Sequence, residues 1–248
     1  MTVTVIKLGG SLLDDASRRE RALRVIVAAW NRGENVVLVH GGGKHVDAAL
    51  ALRGIPKRTH AGLRITDDAT LDVVVSVLGG SVNKMLVAEL TARGVRAAGL
   101  SGCDGGTLVA ERHPSIDGID LGHVGRVTGS NRTLVRAMLT YGILPVVSTV
   151  AQGPNGSLLN VNADSGAAAI AIALGAMTLH FITDVPGLLD ADGNVVPTLA
   201  AKDAHQLIAN GIVTGGMRPK LQAALDALAT GVATIEIGEE GGTRLVAA

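Results

Sequence analysis

Short β-branched runs recur along the chain between longer stretches of helical periodicity, and that alternation leaves few ways to fold. Residues 3–8, 36–40, 96–100, 144–149, 178–183 and 232–237 read as strands. Helices are predicted between them, over about 15–32, 44–53, 67–93, 131–141, 163–174 and 201–230, the last broken near Gly215-Gly216. Several end on a glycine (Gly33, Gly54, Gly94, Gly142, Gly175, Gly231), the residue that tolerates the left-handed turn closing a helix. Such alternation predicts an α/β fold, a mainly parallel sheet between two helical layers. Residues 55–66 and 106–128 interrupt the rhythm as short inserted strand pairs. Any division into lobes is expected near the Ala-rich helix at 163–174, giving residues 1–172 and 173–248.

The chain carries 22 basic and 22 acidic side chains, a balance that offers no bulk field to a nucleic acid or an anionic membrane. Any bound anion must be gripped locally. Trp30, Tyr141 and Phe181 are too few for a base-stacking surface. A lone cysteine, Cys103, excludes an internal disulfide and a Cys-rich zinc site and fits a reducing cytoplasm. The first residues show no signal-peptide pattern. The apolar stretch 163–181 is broken by Asp164, Gly166, Gly175 and His180, so it reads as buried helix plus strand.

Ligands of such sheets sit at the C-terminal strand ends. There the first strand runs into Lys7-Leu8-Gly9-Gly10-Ser11 and the second into His40-Gly41-Gly42-Gly43-Lys44. Glycines let backbone N–H groups face an anion, and a following helix start adds its positive end. Neither turn matches the common nucleotide-binding patterns. Each alone reads equally well as a tight connection; together they read as two halves of one oxyanion cradle. Further on, Asn160 and Asn162 alternate along an extended segment, suited to an amide or carboxylate. Asp164 either caps the helix it opens or orients lysines. Lys220, after Gly215-Gly216-Met217-Arg218-Pro219, is either a surface lysine or a partner of Lys7 at one phosphate. His40 and His123 read first as histidines satisfied in the core. No His or acidic cluster has metal-ligand spacing, so no protein-held metal is expected.

Six motifs then stand in series: Lys7-Leu8-Gly9-Gly10, His40-Gly41-Gly42-Gly43, Gly62-Leu63-Arg64-Ile65-Thr66, Asn160-Val161-Asn162-Ala163-Asp164, Thr183-Asp184-Val185-Pro186-Gly187 and Gly215-Gly216-Met217-Arg218-Pro219-Lys220. This collinear series resembles the N-acetylglutamate kinases, of the amino acid kinase family. The resemblance implies an amino acid kinase fold, a three-layer αβα sandwich around a mainly parallel sheet of about eight strands. N-acetyl-L-glutamate would bind in the N-terminal lobe and ATP, carrying its own Mg2+, in the C-terminal lobe. The γ-phosphoryl would pass to the side-chain carboxylate, the second step of arginine biosynthesis.

By the same resemblance, Lys7 and Lys220 would neutralise the phosphoryl in flight and Asp164 would hold both. Gly9, Gly10 and Gly41 would serve the phosphate, while Gly42 and Gly43 would face the substrate. Arg64 would clamp its α-carboxylate, and Asn160 and Asn162 its amide end. Thr183, Asp184, Val185, Gly187, Leu188, Val213, Gly215 and Met217 would line the nucleotide. The apolar helix around 71–90 has more buried-type residues than one face needs. That suits either core packing or a second copy, and the resemblance implies a homodimer. A carrier-linked α-aminoadipate or glutamate as acceptor, or a catalytically silent relative that binds a nucleotide or oxyanion, stays open at this point. Two departures stand out. The chain starts at its first strand, as expected of a shorter, arginine-insensitive type, and a closing strand follows Ile237 with no helix between.

Overall fold

The structure, a computed structural model, describes residues 2–190, 192–213, 215–238 and 242–247. From the N-terminus, β1 (Val3–Leu8) leads through a single turn, α1 (Gly10–Leu13), into α2 (Ala16–Asn31). β2 (Asn35–His40) runs into α3 (Gly43–Leu52). A hairpin, β3 (Thr59–His60) and β4 (Leu63–Arg64), precedes a long helix made of α4 (Asp68–Val74), a π-helical stretch Val75–Val82 and α5 (Asn83–Thr91). Next come β5 (Ala97–Ser101), β6 (Val109–Arg112), β7 (Val124–Gly129), α6 (Thr133–Thr140), β8 (Leu144–Ser148), β9 (Val150–Gln152) and β10 (Leu158–Val161). The chain closes with α7 (Ala163–Leu174), β11 (Thr178–Ile182), β12 (Thr198–Ala200), α8 (Ala201–Ala209), α9 (Met217–Ala229), β13 (Thr234–Ile237) and β14 (Thr243–Val246).

Eight strands form the central sheet, in the order β12-β14-β13-β11-β1-β2-β8-β5, parallel at every step except β13–β14. β1 lies at its heart, and all six of its residues are buried, as a parallel strand covered on both faces requires. Its side chains alternate. Val3 and Val5 join Phe181, Ala167 and Leu221 in a core beneath α7 and α9, while Ile6 and Leu8 join Leu23, Ile26 and Leu86 beneath α2 and α5. Two cores on two faces make the expected three-layer α/β sandwich. Lys7 shares its face with Val3 and Val5, so a cation is forced under the N-terminal turn of α7.

Three features depart from the periodicity reading. The long helix runs unbroken over 68–91 but widens to π geometry around Gly79-Gly80, where a Cβ on Gly79 would meet Ser101 Oγ at 2.8 Å. The fourth expected strand, 144–149, is interrupted at Thr149, and β9 beyond it joins β6, β7 and β10 in a small closed barrel. β12 carries only three residues, too short for an alternation signal. Helix 201–230 breaks between α8 and α9 as expected. β14 pairs antiparallel with β13 in the register Ile237↔Thr243; residues 239–241 of that connection lie outside the described residues.

Candidate active site

A cavity of about 240 Å³ opens where the C-terminal ends of β1 and β2 meet the start of α7. Asp164 lies at its floor, in the first turn of α7. Lys7 Nζ is 2.8 Å and Lys220 Nζ 3.0 Å from the same oxygen, Oδ1. All three residues are buried. Burial pushes the Asp164 carboxyl upward in pKa, but Lys7 and then Lys220 outweigh it, and the net shift is below the usual carboxylate range. For Lys220, burial and then the charge of Lys7 prevail over Asp164 and lower its pKa to about 8. The Lys220 ammonium also stands 5.5 Å from the centre of the Phe181 ring, within cation–π reach. Asp164 is not the helix cap. That task belongs to Asn162, whose Oδ1 accepts from the N–H groups of Asp164 and Ser165 at 2.8 and 3.2 Å, leaving both Asp164 oxygens outside the cap.

The two glycine turns meet above this pair. A Cβ on Gly10 would lie 3.1 Å from Gly43 N and 3.2 Å from Gly42 N, so the second turn closes directly on the first. Gly41 stands against Ala163, and a Cβ on Gly42 would strike Leu78 at 2.8 Å. Gly9 differs: its N–H donates to Ile182 O at 3.0 Å and continues the sheet.

Arg64 enters from the β3–β4 hairpin. Its Nη2 donates to Gly43 O at 3.0 Å and pairs with Asp47 of α3. Nη1 is buried without a hydrogen-bond partner, an uncompensated donor that favours an anionic ligand. Asn160 Nδ2 donates to Thr66 Oγ1 at 3.2 Å, and that hydroxyl donates to Arg64 O at 2.8 Å. Asn160 and Asn162 both line the cavity. Sequence reasoning passed over Asp47, Thr66 and the cavity-lining Thr149. Asp47 lies one helical turn beyond Gly43, a spacing that could have flagged it. Thr66 was visible only as the end of the Gly62–Thr66 motif, and Thr149 carries no such signal, since a buried threonine near a strand end is commonplace.

The residues expected at the nucleotide are grouped elsewhere. Thr183, Asp184 and Val185 follow β11, and Thr183 Oγ1 donates to Asp184 at 3.2 Å. Gly187 packs so tightly that a Cβ would meet Thr243 Oγ1 at 2.9 Å, and Leu188 N donates to that hydroxyl at 2.7 Å. Leu188, Val213 and Met217 join the core under α7 and α9. Gly215, with φ of 56°, turns the chain into α9; Thr214 lies outside the described residues. None of these lines the 240 Å³ cavity. A larger groove of about 590 Å³ runs under α2 on the opposite face of the sheet, but neither lysine nor Asp164 reaches it. Among the described residues, no cluster of three His, Cys, Asp or Glu side chains is placed to hold a metal.

The sequence pattern of the amino acid kinase family matches residues 2–239. An acetylglutamate kinase of Solibacter usitatus is 45% identical over 98% of this chain and 99% of its own. One of Methanopyrus kandleri is 45% identical over 92% of this chain and 91% of its own. A solved structure from Streptococcus mutans UA159, 29% identical, superposes with a TM-score of 0.88 over 99% of both chains.

Proposed function

The chain belongs to the amino acid kinase family, and on that premise we infer its reaction. It transfers the γ-phosphoryl of ATP to the side-chain carboxylate of N-acetyl-L-glutamate, giving N-acetyl-L-glutamyl 5-phosphate in arginine biosynthesis. Relatives of that name at 45% identity over nearly the whole chain support the assignment. The observation that carries it in the structure is the pair of lysines on one oxygen of Asp164, beneath the backbone N–H groups of two glycine turns.

The chemistry follows from charge. A carboxylate is already a nucleophile at neutral pH, so no general base is needed. What must be overcome is repulsion between a carboxylate and a triphosphate, and catalysis is then positioning with electrostatic stabilisation. In our reading Lys7 and Lys220 neutralise the phosphoryl in flight, and Asp164 holds both ammonium groups. The N–H groups of Gly10, Gly42 and Gly43 supply preorganised donors, and Gly9 and Gly41 shape the turns that present them. The buried Nη1 of Arg64 takes the substrate's α-carboxylate, with Asp47 fixing the other arm of the guanidinium. Asn160 and Asn162 hold the amide end. Residues 1–172 form the substrate lobe. Residues 173–248 form the nucleotide lobe, where Thr183–Leu188 and Val213–Met217 line ATP. Mg2+ comes with the nucleotide phosphates, as that ion usually does, since Asp164, the carboxylate at the cradle, is already engaged by two lysines.

Helix 68–91 supports a homodimer. It is long and apolar enough to cross a membrane, with 39% of its most apolar window buried. One face packs Val73, Leu78, Val82 and Leu86 into the core, and Val75, Met85 and Val87 remain partly exposed beside them. We read that flank as meeting a second copy in the cytoplasm.

Hydroxylamine trapping tests the reaction. N-acetyl-L-glutamate with ATP is expected to give an acyl hydroxamate. Turnover confined to carrier-linked α-aminoadipate or glutamate, or no turnover, would overturn the assignment.

A further inference from the structure

We propose that His40, itself held by Asn83, is a positioning residue that sets the Gly41–Gly42 peptide so that the Gly42 N–H faces the cradle. Its effect on turnover, though not its geometry, rests on the kinase reading above.

His40 closes β2 and is fully buried. Its Nδ1 lies 2.9 Å from Gly41 O and its Nε2 3.1 Å from Asn83 Nδ2. The same Asn83 nitrogen reaches Val146 O at 2.9 Å and Leu100 O at 3.3 Å. Carbonyl oxygens only accept, so Asn83 turns its NH2 toward them; its two hydrogens serve the nearer acceptors, Val146 O and Nε2, and Leu100 O at 3.3 Å takes at most a shared one. Nε2 is therefore bare, and the proton sits on Nδ1, where it donates to Gly41 O. One tautomer satisfies the whole chain of groups. Protonation would aim a second N–H at the Asn83 NH2. Burial, only partly countered by the Gly41 carbonyl, pushes the imidazole pKa down to about 4, which favours the neutral ring.

Peptide planarity carries the constraint onward. Within one trans peptide the C=O and N–H point in opposite directions. Fixing Gly41 O on His40 therefore turns the Gly42 N–H away from the ring. That nitrogen is one of the two that lie close to Gly10 across the cradle. Glycine at 41 and 42 gives this peptide the freedom to rotate, so something outside the turn must hold it. Asn83 stands where the π-helical stretch returns to α5. It fits only because residue 99 is glycine: a Cβ there would lie 1.8 Å from Asn83 Oδ1.

The test compares wild type with H40N, H40L and G99A. Asparagine keeps an amide N–H near the place of Nδ1–H, whereas leucine removes the donor at similar bulk. H40L is expected to lower kcat about 10- to 100-fold, part of what loss of an oxyanion donor does, with KM for both substrates within about threefold. H40N should recover most of that kcat without gaining stability over H40L. Equal loss of kcat in H40N and H40L would reduce His40 to packing and overturn the proposal. Side-chain 15N NMR of the wild-type protein, with the His40 ring assigned by through-bond correlation to its own backbone, is expected to show the Nδ1–H tautomer, unchanged between about pH 5.5 and 8.5. G99A should disturb the same signals from outside the cavity. An Nε2–H tautomer, or titration near the ordinary histidine value, would overturn the relay even if the H40 variants fail to fold. It would do so even in a protein without turnover on N-acetyl-L-glutamate, so the two readings fail separately.

Discussion

Lys7 and Lys220 reach one oxygen of Asp164 from supports of different stiffness. Lys7 sits on β1 between two parallel neighbours, paired with Phe181 on one side and Val39 on the other. That strand has no freedom to recede. Lys220 is the fourth residue of α9, entered through exposed Gly215 and Gly216 and fixed beyond by buried Leu221 and Ala224. An element hung on a glycine turn can adjust when a nucleotide arrives; a central strand cannot. Burial and the neighbouring charge of Lys7 also lower the pKa of the ammonium on the helix to about 8. On the proposed reading the same residue type is a fixed reference on one side of Asp164 and an adjustable arm on the other.

Removing the shared partner should have the largest effect. Asp164→Ala leaves two buried cations facing each other. Loss of about 3–5 kcal/mol in stability is expected from breaking a buried pair, with kcat reduced by about 10³ or more. Denaturant melts and single-turnover assays check both. The Asp164 carboxyl is held below 3.8 in the fold, so its stabilising contribution is complete above that pH and is lost on acidification through its lower folded value. A stable, active Asp164→Ala protein would dissolve the comparison altogether.

The contrast between the lysines comes next. Lys7→Ala is expected to lower kcat by about 10²–10³, with a smaller change in substrate affinity. Arginine at the two positions separates stiffness from charge. Lys7→Arg should be nearly as damaging as Lys7→Ala, because β1 cannot retreat before a larger head. Lys220→Arg should keep more activity, because the entry to α9 can yield. If Lys220→Arg were the worse of the two, the assignment of stiff and adjustable sides would be reversed.

The stiff side was also the legible side. β1, β2, β8 and β11 follow from β-branched runs because a strand buried on both faces must be apolar throughout, and Lys7 stands out as the one charge within such a run. The adjustable side was legible as a turn and a break near Gly215-Gly216, but its contact with Asp164 depends on helix packing that no local pattern records. For the same reason Asp47 and Asn83 escaped notice. Each acts on a residue distant in sequence, Asp47 on Arg64 and Asn83 on His40, and polar residues on amphipathic helices ordinarily face water. The small barrel was hidden too, since β9 has only three residues and the extended segment around Asn160 gave no sign of the strands it pairs with.

Outside the lysine pair the effects are expected to be smaller. Arg64→Lys keeps the charge but cannot hold Asp47 with one arm and present a buried N–H with the other. The expected result is about a tenfold rise in KM for the acidic substrate at nearly constant kcat, the signature of lost ground-state binding. A fall in kcat alone would move Arg64 from binding to the transition state, and the lysines would no longer carry that charge by themselves.

The mildest effect is the sharpest probe of the inequality. On the proposed reading Lys220 must be protonated to neutralise the phosphoryl, and burial with the charge of Lys7 lowers its pKa to about 8. Activity that depends on the free enzyme should therefore decline as pH rises through that value. kcat/KM for ATP is expected to be about fourfold below its plateau at roughly half a unit above it. Bound phosphates favour the protonated form, so the decline in kcat should begin at higher pH than the decline in kcat/KM. In Lys220→Arg the guanidinium stays charged throughout, and the alkaline limb should vanish while the Lys7 side is untouched. A limb that survives Lys220→Arg belongs to another group, and the helix-borne lysine then does not set the alkaline decline.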